Sequence, residues 1–117
     1  MPSNVLIVDD HPGFRASARR LLASHGYEIV GEAASGKEAL EAVRSLEPQL
    51  VLLDVGLPDA DGIELARALS ERHPEARVVV VSSRDREEVE PLLDGAGAAG
   101  FIPKAELSAS ALRDLLD

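Results

Sequence analysis

Three aspartates, a serine and a lysine hold comparable places in this chain, each just after a short apolar run. Asp9 and Asp10 follow Val5-Leu6-Ile7-Val8, Asp54 follows Leu50-Val51-Leu52-Leu53, and Ser82 follows Val78-Val79-Val80-Val81. Lys104 comes shortly after a weaker run, Gly100–Ile102. If these runs are strands of one sheet, their ends meet on one edge. Three carboxylates gathered there repel and hold their protons more tightly. A divalent cation removes that conflict. An all-oxygen donor set without His or Cys favours Mg2+, with Mn2+ as a substitute, over zinc. Mg2+ keeps several waters and takes one or two carboxylates plus a phosphate oxygen. A cation, a carboxylate nucleophile, a hydroxyl and a lysine together suit phosphoryl transfer, in which positioning and charge neutralisation carry the rate.

Each residue alone has a plainer reading. Asp10 can cap a helix that opens at Pro12, Ser82 can be a turn residue, and Lys104 can be a surface lysine. Only their convergence argues for a site, so the elements that position them matter.

Continuous apolar runs suit strands buried on both faces, as in parallel sheets. Glu28–Ala33 and Gly100–Ile102 complete a set of five. Helical patterns fall between them. Phe14, Ala18, Leu21 and Leu22 share a face, and Gly26 closes that helix. Ser35-Gly-Lys-Glu38 reads as a capping box before Leu40 and Val43. Asp61-Gly-Ile-Glu64 opens a helix carrying Leu65 and Leu69, which stops near Pro74. Asp85 or Ser83 can cap the fourth helix. Ser108 can cap the fifth, with Leu107 and Leu112 as a hydrophobic staple. The fourth helix is expected to be short, kinked or mobile, because Pro91 inside a regular helix costs about 3 kcal/mol. Strands alternating with helices predict a flavodoxin-like (βα)5 doubly wound sandwich with a parallel sheet in the order 2-1-3-4-5. Ligands of such sheets bind beyond the carboxyl ends of the strands, at the switch point between the first and third. Asp9, Asp10 and Asp54 stand at those two ends.

The chain has 117 residues, a length that fits one domain. It contains no cysteine, which excludes disulfides and Cys-based zinc sites. Acidic residues outnumber basic ones 21 to 12, a formal charge of −9 that argues against this chain gripping nucleic acid. No apolar run is long enough to span a bilayer and no signal peptide is recognisable, so a cytoplasmic location without membrane contact is expected. Gly95-Ala-Gly-Ala-Ala-Gly100 matches the dinucleotide fingerprint only in letters, since a helix precedes it and a strand follows. His11, His25 and His73 lack metal-ligand spacing, and His11 reads as a surface or helix-start residue. A flavin-binding alternative fails because Asp9 and Asp10 would repel a phosphate. A Mg2+-dependent phosphohydrolase of the haloacid-dehalogenase kind wants a second aspartate where Gly56 stands.

With these residues in place, the chain resembles the receiver domain of bacterial two-component response regulators. The resemblance runs over residues 1–117 as one receiver domain. It rests on Val5-Leu-Ile-Val-Asp-Asp10, Leu53-Asp-Val-Gly-Leu-Pro58 with Asp61-Gly62, and Phe101-Ile-Pro-Lys104. Asp9-Asp-His-Pro12 and Ala98-Ala-Gly-Phe101 are most similar to receivers joined to LuxR/NarL-type helix-turn-helix domains. The resemblance implies that Asp54 is the phosphoacceptor and Asp10 a direct Mg2+ ligand. Asp9 assists through water, and the Gly56 backbone carbonyl completes the metal set. Lys104 pairs with the phosphoryl oxygens, Ser82 donates its hydroxyl to them, and Ser82 with Phe101 forms the switch. As Ser82 moves toward the phosphoryl group, Phe101 rotates inward to fill the vacated space. The sequence also departs from the family's pattern: many members carry Pro after the lysine, whereas here Pro103 precedes Lys104, while Gly56 leaves the position two after the acceptor without a side chain and Arg84 stands two after Ser82.

The implied partner is a sensor histidine kinase. The implied output is transcription through a separate DNA-binding domain, and the resemblance leaves room for a homodimer. Such a domain is regulatory and catalyses only its own phosphorylation and dephosphorylation. The resemblance and the short last helix suggest part of a longer regulator. A stand-alone receiver acting in phosphotransfer or protein interaction is the alternative.

Overall fold

The computed structural model describes residues 4–116. Five strands, β1 Asn4–Val8, β2 Glu28–Ala33, β3 Leu50–Asp54, β4 Arg77–Ser82 and β5 Gly100–Pro103, alternate with five helices. These are α1 Pro12–Ala23, α2 Gly36–Leu46, α3 Gly62–Arg72, α4 Arg86–Val89 and α5 Ala109–Leu116. All strand pairs are parallel, and the sheet order is β2-β1-β3-β4-β5. This is the doubly wound order that the alternation predicts.

The continuous apolar runs follow from burial on both faces. Leu6, Val8, Val51, Leu53, Val78, Val80 and Phe101 point into one layer with Val43 of α2, Leu69 of α3 and Val89 of α4. Val5, Ile7, Leu50, Leu52, Val79, Val81 and Ile102 point into the other, against Leu22 of α1 and Leu112 of α5. Each fully buried aliphatic side chain contributes about 1.5–3 kcal/mol relative to exposure. An alternating strand would leave one of these layers without a wall.

The helix starts show which local signals hold. Asp61 caps α3, its carboxylate accepting from Ile63 N at 2.8 Å and more loosely from Glu64 N at 3.5 Å. Ser108 Oγ accepts from Ala111 N at 3.0 Å, with Leu107 and Leu112 in the same layer as the staple predicts. Asp10 is not a cap. His11 holds the position before α1, without a side-chain cap bond, and Pro12 opens the helix. Asp85 precedes α4 but also makes no cap bond. After one turn, α4 gives way to a 3-10 turn, Glu90–Leu93, with Pro91 at its start. There the missing proline N–H leaves no helical bond broken. Gly95 and Gly97 take left-handed φ of +77° and +78° between that turn and β5, which disposes of the dinucleotide fingerprint.

The start of α2 is only half legible locally. Ser35 Oγ accepts from Glu38 N at 3.2 Å, while Glu38 reaches Ala34 N rather than closing a reciprocal box. Asp59, on the loop after β3, supplies the remaining acceptors. Its carboxylate takes Gly36 N at 2.7 Å and Lys37 N at 3.1 Å. Those two donors, Gly36 first, hold the Asp59 carboxyl below its usual value. A depressed carboxyl contributes stability that is full above the ordinary Asp value of about 3.9 and fades as pH falls through the lowered one. Asp59→Ala is therefore expected to melt below wild type at pH 7. The gap should narrow in acid, as thermal melts across that range would show.

Candidate functional site

Register explains the convergence. Val8 pairs with Leu53 across β1 and β3, which places Asp9 beside Asp54. Asp54 pairs with Val81, so Ser82 lies one residue beyond it on β4. Ser82 pairs with Pro103, the last residue of β5, so Lys104 follows directly after that strand. Asp9, Asp54 and Ser82 are all buried, at 0%, 4% and 2% exposure.

Lys104 Nζ bridges the carboxylates. It lies 2.7 Å from Asp9 Oδ2 and 3.7 Å from Asp54 Oδ2. The first is an ion-pair distance, yet the ammonium is off the hydrogen-bonding line, so Asp9 Oδ2 stays without an aligned donor. Asp10 Oδ1 is likewise buried without a hydrogen-bond partner. Each has an ionic neighbour in place of a hydrogen bond, Lys104 for the first and His11 Nδ1, 3.2 Å away, for the second. One ligand atom each from Asp9, Asp10, His11 and Asp54 lies within 4.8 Å of the others, so the cluster has the donors for a divalent ion.

The Asp54 carboxyl is pushed above the usual Asp value. Burial is the main cause and the Asp9 charge the next, while Lys104 and the Gly56 N–H pull the other way. This is the signature of a carboxyl whose burial and like-charged neighbour outweigh the lysine beside it.

The remaining candidates fall as follows. Gly56 is exposed after β3, and a Cβ there would meet only Asp54 Oδ2 at 3.8 Å. Ser82 Oγ accepts from Arg84 N at 3.0 Å, which leaves its own hydrogen free to donate. Arg84 is exposed beside Gly56 along the groove between α3 and α4. Phe101 is buried at 4% exposure in the α2–α3–α4 layer, with the Arg86 guanidinium 5.7 Å from its ring centroid. Its ring thus already points inward. No cis peptide bond occurs among the described residues, and Lys104 continues directly from β5 into a 3-10 turn, Lys104–Glu106.

His11 is the residue that spacing alone undervalues. It is exposed at the start of α1, as expected, but Nδ1 also lies 3.0 Å from Asp9 Oδ1 and 3.2 Å from Asp10 Oδ1. Its backbone N–H donates to the same Asp9 oxygen at 2.8 Å. The adjacency of His11 to the acidic pair was the available signal. His25 and His73 lie elsewhere, against Leu21 O and Glu75.

Comparison with known proteins bears on the family and the fold. GacA of Pseudomonas viridiflava, a response regulator, is 42% identical over 101 residues, covering 86% of this chain and 47% of GacA. DegU of Brevibacillus brevis, a transcriptional regulatory protein, is 35% identical over 109 residues, covering 92% of this chain and 46% of DegU. The chain thus spans about half the length of the curated relatives it matches. A LuxR-family two-component response regulator from Aurantimonas sp. SI85-9A1 superposes with a TM-score of 0.86 at 30% identity, covering 99% of this chain and 86% of that one. The signal receiver domain of NarL from Mycobacterium tuberculosis gives 0.84 at 32% identity, covering 98% and 97%. No described helix is long and apolar enough to cross a membrane. The model of the response regulator receiver domain matches residues 5–117, and the chain belongs to that family.

Proposed function

We propose that this domain is a phosphorylation-operated switch in which Asp54 accepts a phosphoryl group from a sensor histidine kinase. The observation that carries this reading is the buried Asp54 carboxylate, 3.7 Å from Lys104 Nζ and clustered with Asp9 and Asp10. An Asp54 oxygen attacks phosphorus, the P–O bond forms and the P–N bond of the phosphohistidine breaks. The electron pair leaves with the imidazole. Asp9, Asp10 and Asp54 would hold Mg2+, with Mn2+ as a substitute, together with the Gly56 carbonyl. When bound, the cation offsets the charge on the carboxylates and the phosphoryl oxygens. His11 orients Asp9 from outside that set, as outer partners of metal ligands do.

The product adds about −1.5 to −2 charge and three acceptor oxygens. The 3.7 Å between Lys104 Nζ and Asp54 Oδ2 supports its pairing with them, and the free hydrogen of Ser82 Oγ supports its donation to one. Phe101 occupies the inward seat in this structure, so the switch is best described as a population shift toward that seat. The short α4 and its 3-10 continuation suit a bistable surface. The output is transcription through a separate DNA-binding domain.

The test is stoichiometry. Acetyl phosphate with Mg2+ is expected to load one phosphoryl group per chain, and chelating the metal should stop it. Continuous hydrolysis of a free phosphate monoester with Mg2+ would point to a phosphohydrolase instead. Mg2+ alone is expected to stabilise the fold, by about 2.7 kcal/mol at one hundred times its dissociation constant. Asp10→Ala should lose most of that gain in a thermal melt.

A further inference from the structure

We propose that Phe14 is a positioning residue for Lys104, its ring holding the ammonium against Asp9 and Asp54. The inference rests on the reading that Lys104 pairs with a phosphoryl group on Asp54. His11, Phe14 and Arg15 are spaced to share one face at the start of α1. All three are directed at the same place. His11 Nδ1 meets Asp9 Oδ1 at 3.0 Å, and Arg15 Nη1 donates to the Asp9 carbonyl at 2.6 Å. Phe14 presents its ring to Lys104, whose Nζ lies 4.5 Å from the ring centroid, well inside the range of a cation–π contact.

A lysine ammonium sits on a long flexible stem and reaches many positions. Here it is held from two sides. The carboxylates of Asp9 and Asp54 attract it on one, and the negative face of the Phe14 ring does so on the other. The Lys104 side chain is only 16% exposed, so little water competes for the charge. Phe14 is itself partly buried against the α1–α5 layer, which fixes the ring. Leucine at this position would keep the apolar packing but lose the π face. Tyrosine would keep both. Packing alone therefore predicts that leucine serves as well as tyrosine, and positioning predicts that it does not.

The test compares Phe14→Leu and Phe14→Tyr with wild type in two measurements. The first is NMR of the Lys104 ε-methylene protons, which a ring at this distance shifts upfield. The second is the initial rate of phosphoryl incorporation from acetyl phosphate at saturating Mg2+. In Phe14→Leu the upfield displacement should vanish and the rate should fall about threefold to tenfold, the range expected for a partly desolvated cation–π contact. Phe14→Tyr should retain both. Undisplaced Lys104 resonances in wild type would overturn the proposal whatever the rates. A Phe14→Leu rate equal to wild type would also overturn it, as would a Phe14→Tyr rate as low as that of Phe14→Leu. If Phe14→Leu melts far below wild type, Phe14→Met replaces it as the aliphatic variant. Failure of the wild type to take up phosphoryl would count against the proposed function, while the resonance measurement would still decide where Lys104 is held.

Discussion

Gly62→Ala is expected to lower the melting temperature by roughly 10 °C, with a stability loss of about 3 kcal/mol. The physical reason is close backbone approach. A Cβ on Gly62 would stand 2.3 Å from Val55 Cα, 2.8 Å from Val55 O and 2.9 Å from Asp54 O. These are main-chain atoms that cannot rotate away, so the helix or the loop must shift. Gly62 N donates to Val55 O at 3.2 Å, and the same shift would strain that bond. Gly56 is the natural control. A Cβ there meets nothing nearer than Asp54 Oδ2 at 3.8 Å, and its φ is not in the left-handed region. Gly56→Ala should stay within about 0.5 kcal/mol of wild type. Urea unfolding of the two variants would check the contrast, and equal midpoints would refute it.

Asp54→Asn is expected to make the cation-free protein more stable at neutral pH while removing its chemistry. Burial and the Asp9 charge hold the Asp54 carboxyl above its ordinary value. A raised carboxyl binds its proton more tightly folded than unfolded, so stability falls as pH rises from the ordinary Asp value through the raised one. Above that window the folded protein carries the full cost. Asparagine has the same shape without the charge, and a gain of a few degrees in Tm at pH 7 is expected without metal. The gain should shrink at about pH 3, where free Asp is largely protonated. It should also shrink when Mg2+ is added. A variant that melts below wild type at pH 7 without metal would show that the Asp54 charge is not the strain it is taken to be.

Much of this architecture can be read from the sequence because its signals are local or periodic. The runs around Leu6, Leu52 and Val80 declare strands buried on both faces, and alternation with helices then gives the strand order. The same logic brings Asp9, Asp54, Ser82 and Lys104 to one edge, since each ends its strand or directly follows it. What escapes is whatever joins elements distant in the chain. Asp59 caps α2 from the loop after β3, 23 residues beyond Gly36. No pattern near Ser35 announces it, and the capping box read there closes only on one side. Phe14 reads as part of the apolar face of α1 and is partly buried there, and its second contact is with a lysine on the far side of the sequence. His11 adjoins the acidic pair in sequence, but its spacing says little about a ring that folds back onto the carboxylate two residues before it. Pro91 marks the weak helix, and the outcome is one α turn that buries Val89, followed by a 3-10 turn.

The most direct measurement is intact-protein mass spectrometry after acetyl phosphate and Mg2+, on wild type and Asp54→Asn together, with proteolytic mapping of the modified residue. The account predicts a gain of one phosphoryl group in wild type, on the peptide holding Asp54, and none in the variant. A phosphoryl group persisting in Asp54→Asn would contradict it.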